Sequence, residues 1–152
     1  MITQEKTKTI ALNRKARYEY HIVQTYEAGI ALTGTEVKSL RANKLNMSDG
    51  YATIRDNGIW LINVHINEYK QGNLNNHDPL RERQLLLNKS EIRKIKFRVF
   101  EKGMTLIPLS FYLKNGKVKV EIALAQGKKE YDKREAIAKK DFQRAEERKI
   151  KY

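Results

Sequence analysis

Two Asn-Gly dipeptides, Asn57-Gly58 and Asn115-Gly116, each stand between short apolar runs that alternate with polar residues. This feature constrains the fold more than any other. A tight antiparallel hairpin needs positive φ in its turn, and Asn-Gly supplies it at low cost. The first dipeptide joins Asp49 to Arg55 with Ile59 to Val64. The second joins Met104 to Leu113 with Val118 to Leu124. In that last run Val118, Val120, Ile122 and Leu124 share one side, while Lys117, Lys119 and Glu121 take the other. Arg17 to Val23 also alternates and predicts a strand, and Tyr26 to Leu32 predicts another.

Helices are marked by their starts. Thr33 and Glu36 have the spacing of a capping box, and Val37 and Leu40 give a stripe that ends near Asn43-Lys44. Asn88 and Glu91 repeat the spacing. Ile92, Ile95 and Val99 then follow the helical period up to a stop at Gly103. Residues 66–83 are polar and read as one long loop, and Gln84 to Leu87 form a short apolar run. The chain is therefore expected to be mainly β. We expect a small closed antiparallel barrel of the OB type with two to three flanking helices, because closure removes sheet edges. An open α+β sheet with helices on one face is the alternative. The barrel is expected over 13–127. Residues 1–12 show no period and read as a flexible arm. Residues 128–152 read as a basic tail. Ala136 to Lys149 contains good helix formers but few apolar residues, so the tail is expected to be disordered alone and helical when bound.

Charge narrows the function. The chain carries 31 Lys+Arg against 18 Asp+Glu, a net +13. The surplus is uneven: +3 over 1–20, −1 over 21–80, +7 over 81–126 and +4 over 127–152. Such a distribution favours a face for a polyanion. Cysteine is absent, which excludes disulfides, thiolate metal ligands and a Cys nucleophile. No apolar run approaches the roughly 20 residues that span a bilayer. Met1 to Lys8 lacks the apolar stretch of a secretory signal. A cytoplasmic, monomeric protein with no membrane partner is expected.

Catalysis finds little support. His77-Asp78 could pair a base with its orienter, but His21 and His65 lie on other segments and no acidic cluster is present. One of the two residues reads instead as a cap for the turn before Pro79. Gly127-Lys128-Lys129 lacks the preceding glycine and the Ser/Thr of a phosphate loop. No catalytic residue, metal or cofactor is expected, and a nuclease is disfavoured. Binding fits better. Asn13-Arg14-Lys15-Ala16-Arg17 places three cations before the first predicted strand, where they can reach phosphates. Lys38 and Arg41 share a helix face. Lys114, Lys117 and Lys119 cluster at the second hairpin. Aromatic residues are available to stack on unpaired bases, although Tyr20, Tyr51 and Phe111 are read as core. No recognition helix for duplex DNA is evident, so structured RNA is the favoured partner, ahead of an anionic membrane.

Several longer motifs follow one another along the chain. They are Ala11-Leu12-Asn13-Arg14-Lys15-Ala16-Arg17, Glu27-Ala28-Gly29-Ile30-Ala31-Leu32 and Thr33-Gly34-Thr35-Glu36-Val37-Lys38-Ser39-Leu40-Arg41. Asn76-His77-Asp78-Pro79, Leu85-Leu86-Leu87, Leu113-Lys114-Asn115-Gly116-Lys117, Gly127-Lys128-Lys129 and Tyr131-Asp132-Lys133-Arg134 come after them. In this order, from Ile10 to Arg148, the chain resembles the small protein B (SmpB) family, the SsrA-binding proteins of bacteria.

The resemblance implies an OB-type barrel that binds the tRNA-like half of transfer-messenger RNA (tmRNA, SsrA RNA). It implies delivery of that RNA to stalled ribosomes, which rescues them and lets the incomplete peptide be tagged for proteolysis. Peptide transfer would belong to the ribosome and the RNA, so an adaptor is implied rather than an enzyme. Asn13, Arg14, Arg17, Glu27, Lys38, Arg41 and Leu86 are implied to face the tmRNA, and the charge pattern adds the cations Lys15, Lys114, Lys117 and Lys119 to that expected face. A salt bridge with a nearby Arg is the alternative for Glu27, and a core position the alternative for Leu86. Lys128, Lys129, Tyr131, Asp132, Lys133 and Arg134 are implied to begin a tail that lies in the mRNA channel of the small subunit. Tyr131 would stack on a ribosomal RNA base in the decoding centre. Gln126 departs from the family pattern where a basic residue is common, and Lys96-Phe97-Arg98 departs where a glycine is common. The broader alternative is a general structured-RNA or ribosome-associated OB protein.

Overall fold

The computed structural model describes residues 6–71 and 76–127. The expected tail and residues 1–5 of the expected arm lie outside the described residues. The chain runs β1 (Thr7–Leu12), α1 (Arg14–Glu19), β2 (Tyr20–Ile30), α2 (Gly34–Arg41), β3 (Leu45–Asn46) and β4 (Tyr51–Arg55). It continues with β5 (Gly58–Ile62), β6 (His65–Ile66), β7 (Arg83–Leu86), α3 (Lys89–Lys102), β8 (Thr105–Lys114) and β9 (Lys117–Gly127). Strands β8, β4, β5, β7, β2 and β9 pair in that order, and β9 returns to β8. The sheet is thus a closed antiparallel ring, the OB-type barrel that the hairpins predict. β1 adds to β8 outside the ring, and β3 with β6 forms a small separate sheet.

Both hairpins are present, but their turns differ. In the second, Lys114 pairs with Lys117, and Asn115 and Gly116 form the loop at φ 52° and 80°. Both central residues have positive φ, as a primed turn requires. In the first, Arg55 pairs with Gly58, so the loop is Asp56-Asn57 and the positive φ of 133° falls on Gly58. Both capping boxes form, with Thr33 and Glu36 on α2 and Asn88 and Glu91 on α3. Gly103 ends α3 in the left-handed conformation.

The N-terminal third departs from the sequence expectation. Thr7–Leu12 is a strand, where an irregular arm is expected. Only Ile10 is buried in it, and a bulge between Thr9 and Ala11 breaks the alternation. The strand predicted from Arg17 instead begins at Tyr20, because Arg14–Glu19 forms the short helix α1. The spacing of Tyr18, Tyr20 and Ile22 crosses this helix–strand junction. The two runs expected on either side of Gln24 are one strand, β2, with an irregularity between Ile22 and Gln24. The expected loop over 66–83 overlaps β6 at Ile66 and β7 at Arg83. Phe111 is core as expected and Tyr20 is half-buried, but Tyr51 is 45% exposed.

Val120, Ile122 and Leu124 of β9 point into the barrel with Phe111 and Leu106 of β8. The opposite side of β9 carries Ala123 and Ala125, and there Ala16 of α1 packs with Ile107 and Leu109. Small side chains on this outer face let a helix lie close to it. Ile95 of α3 is fully buried in the inner core, with Ile92 and Val99 packed beside it.

One charged cluster ties α2 to the barrel. Glu36 and Arg83 are both fully buried and form an ion pair through Oε2 and Nε. Glu36 Oε1 accepts from the Thr33 backbone N–H at 2.8 Å and from Arg81 Nη2 at 2.5 Å. Arg83 Nη1 donates to the Val64 carbonyl at 2.7 Å, and Nη2 donates to that of Pro79 at 3.1 Å. A single carboxylate thus joins α2, β7 and the chain before it. Burial alone would raise the Glu36 pKa. The Arg81, Thr33 and Arg83 contacts overcome it and lower the pKa from 4.5 to about 2.

Because the folded pKa lies below the unfolded one, the stabilisation is complete above pH 4.5 and is lost as pH falls through about 2. Glu36→Gln should cost about 3–5 kcal/mol at neutral pH by leaving Arg83 buried without its counter-charge. It should also remove the acid-dependent step in that window. Urea titrations at pH 7 and pH 3 measure both. Equal midpoints for the two proteins at pH 7 would contradict the anchoring role.

Candidate nucleic-acid interface

The second hairpin, β7 and the start of α2 enclose a groove of about 440 Å³. Half-buried Ile30, Leu32, Val37 and Val118 line it, with Lys117, Lys119 and Leu86. Leu86 is 53% exposed, so its place is the surface rather than the core. It stands opposite Gly29 in the β2–β7 pairing. A Cβ on Gly29 would lie 3.3 Å from Leu86 Cβ, so the glycine lets the two strands meet without crowding that side chain. Lys114 and Lys117 flank the turn as a pair, and Lys119 faces both Tyr112 and Gly29 across its two neighbouring strands. The groove joins apolar surface to cations, the combination that holds a nucleobase and its phosphates.

Glu27 lies two residues from Gly29 and is already engaged. The Tyr112 hydroxyl donates to Oε2 at 2.6 Å, and Lys114 Nζ lies 3.3 Å from both carboxylate oxygens. The expected salt bridge is therefore made with a lysine rather than an arginine. The Tyr112 hydrogen bond, helped by Lys114, holds the Glu27 carboxyl below its ordinary pKa. Burial and the same carboxylate push the Tyr112 phenol well above its own. At neutral pH the pair is an anion held by a neutral phenol. Tyr112 was missed in the sequence. Its alternation with buried Phe111 on β8 was the signal for an outward ring.

The cations at the N-terminus sit on α1. Asn13, only 4% exposed, caps that helix, its Oδ1 accepting from Ala16 N–H at 3.2 Å. Its Nδ2 donates to the Pro108 carbonyl at 2.9 Å and to that of Met47 at 3.4 Å. This side chain is committed inside the protein, whereas Arg14, Lys15 and Arg17 are exposed. Lys15 pairs with Asp49 at 3.2 Å, and that hydrogen bond raises its pKa. Arg17 lies 3.5 Å from Glu121, which stands opposite Glu27 in the β2–β9 pairing. The α1 cations and the hairpin group are thereby linked along one outer surface. On α2, Lys38 and Arg41 are exposed, and Lys38 Nζ lies 5.4 Å from the centre of the Tyr69 ring. Tyr69 comes from the long loop, and nothing in its local sequence signals this contact.

His77 holds the loop in place. Its Nε2 is 2.9 Å from the Ile66 carbonyl and its Nδ1 is 2.9 Å from Thr35 Oγ1. The carbonyl can only accept, so Nε2 carries a proton and donates to it, while the Thr35 hydroxyl pairs with Nδ1. Asp78 Oδ1 accepts from Leu80 N–H at 3.0 Å, the turn cap that the sequence suggests. Among the described residues, no group of three or more His, Asp or Glu is placed to hold a metal ion, and no helix is long and apolar enough to cross a membrane. The expected tail contacts, Lys128, Lys129, Tyr131, Asp132, Lys133 and Arg134, lie outside the described residues.

The family model described as SmpB protein matches residues 10–152. The chain belongs to the SmpB family. An SsrA-binding protein of Trichodesmium erythraeum is 59% identical to it, over 97% of this chain and 95% of that protein. One from Alkaliphilus oremlandii is 60% identical, over 91% of this chain and 89% of that protein. A solved SmpB chain, from work described as "tmRNA-SmpB: a journey to the center of the bacterial ribosome", superposes with a TM-score of 0.66. It is 46% identical and covers 84% of this chain and 93% of its own length.

The two kinds of residue on α1 can be told apart. Asn13→Ala should lower stability by about 1–3 kcal/mol by leaving the Pro108 carbonyl and the Ala16 N–H unpaired. Arg14→Ala and Arg17→Ala should change it by about 0.5 kcal/mol or less. Thermal denaturation of the three variants checks this, and equal losses would refute the distinction.

Proposed function

We propose that this protein is an RNA-binding adaptor of trans-translation. It binds the tRNA-like half of tmRNA and brings that RNA to stalled ribosomes, which frees them and allows the incomplete peptide to be tagged. The observation that carries the reading is the groove in which exposed Leu86 meets Lys117 and Lys119, on a chain whose relatives are named for binding SsrA. Leu86 and the surrounding apolar side chains offer a nucleotide a surface to pack on. The lysines take its phosphates, and Arg14, Lys15 and Arg17 extend the positive surface over the outer face of β9. Lys38 and Arg41 add a second approach from α2. Asn13 acts by fixing α1, and Glu27 by fixing Tyr112 and Lys114, so both position the RNA face. The protein supplies no catalytic group of its own. Lys128 to Arg134 begin the segment that engages the small ribosomal subunit.

Filter binding with tmRNA, competed by bulk tRNA, tests the first half. Lys117→Ala and Lys119→Ala should each weaken binding and reduce the salt-dependence slope by about 1. Leu86→Asp should weaken it further without altering the fold. Equal competition by any structured RNA would reduce the reading to general RNA binding. A reconstituted tagging assay tests the second half. Removing residues 131–152 should abolish tagging while tmRNA affinity stays close to that of the full chain. A parallel collapse of affinity would overturn the division between body and tail.

A further inference from the structure

The groove and the α1 cations leave one charged surface unused. Helix α3 carries six cations, Lys89, Arg93, Lys94, Lys96, Arg98 and Lys102, against Glu91 and Glu101. None of these cations makes an ion pair with a carboxylate among the described residues. The same helix exposes two large aromatic rings, Phe97 at 54% and Phe100 at 67%.

Helical geometry places these groups together. Ile92, Ile95 and Val99 face the core, so Phe97 falls on the opposite side of the helix. Arg93 and Lys94 lie one turn before it at i−4 and i−3, and Lys96 lies one turn before Phe100. Lys102 Nζ stands 6.0 Å from the Phe97 ring centre, within range of cation–π attraction. An exposed helix kept for solubility alone does not need two phenylalanines on its outer face, and burying them against a neutral partner would strand the cations. Rings flanked by unpaired cations suit bases joined by phosphates. α3 begins three residues after Leu86, at one border of the groove. At 1.5 Å per residue, Phe97 and Phe100 lie about 12 and 16 Å along its axis from Lys89.

We propose that the outer face of α3 is a second RNA-binding surface, on which unpaired nucleotides stack against Phe97 and Phe100 while Arg93, Lys94 and Lys96 hold their phosphates. The proposal rests on the adaptor reading for its choice of RNA as the polyanion, but it uses none of the groove residues.

The test uses the full chain and a short fluorescein-labelled oligouridine. Phe97→Leu/Phe100→Leu keeps apolar side chains and removes the rings. It should weaken oligouridine binding roughly tenfold with an unchanged circular dichroism spectrum and thermal midpoint. Ultraviolet cross-linking followed by peptide mapping should place uridine on 89–102 in the parent chain and not in the variant. Arg93→Gln/Lys94→Gln should flatten the salt dependence. Unchanged oligouridine affinity in the leucine variant, or cross-links confined to the hairpin, would overturn the proposal. So would phosphatidylserine vesicle binding, or concentration-dependent dimerisation in sedimentation, that the leucine variant loses while oligouridine binding persists. The groove is read separately by tmRNA binding to Lys117→Ala. A loss there with no effect of the phenylalanine changes refutes α3 alone, and the converse refutes the groove alone.

Discussion

The buried Glu36–Arg83 pair is the constraint on which the arrangement depends. A carboxylate and a guanidinium removed from water are costly, and they persist here because each meets several partners, while Nε of the neighbouring Arg81 is buried without one among the described residues. Glu36 completes the capping box of α2 with the oxygen that also takes Arg81, and its other oxygen takes Arg83. Arg83 then donates to the carbonyls of Val64, Pro79 and, at 3.5 Å, Asp78. The start of α2, strand β7 and the chain that reaches it cannot shift independently. Val37 and Leu86, which line the groove, stand one residue from Glu36 and three from Arg83. The apolar part of the groove therefore takes its position from an ion pair buried beside it.

The barrel gives each side of β9 a different task. Its inner residues are large and fill the core. Outside, the strand carries alanines where α1 covers it and charges where it does not. Two lysines, Glu121 and Tyr112 across the ladder lie on the uncovered stretch, and α1 places Arg17 at its border. The same alternation that builds the core thus sorts the outer face into a seat for a helix and a charged surface beside it.

Features governed by neighbours in sequence were legible. Both hairpins and both capping boxes depend on residues a few positions apart, and the structure contains them. The closed barrel followed from those hairpins. Features governed by distant partners were not legible. β1 has a single buried residue and a bulge, so its period is invisible until β8 is alongside. α1 is six residues long and buries only Ala16, and its cap Asn13 looked like part of a basic cluster. Leu86 reads as core on hydrophobicity, and its exposure depends on which side of β7 meets Gly29. Glu36 was legible as a cap residue but not as the centre of a buried ion pair, because Arg81 and Arg83 lie 45 and 47 residues away.

The contacts of Asn13 also describe the seam of the barrel. One edge of β8 is shared: β1 takes it from Ser110 to Lys114, and β4 meets it only at Leu106, opposite Ala52. Between them lies Pro108, which has no N–H to offer, and the Asn13 amide takes its carbonyl. A side-chain amide thus stands in for a missing peptide group in the ladder. Fluctuations that part a closed sheet begin where the fewest hydrogen bonds must break. In this ring the shortest joins are β4–β8, with one residue pair, and β2–β7, with two, so local opening is expected at these two places before the long β2–β9 ladder that carries Glu27.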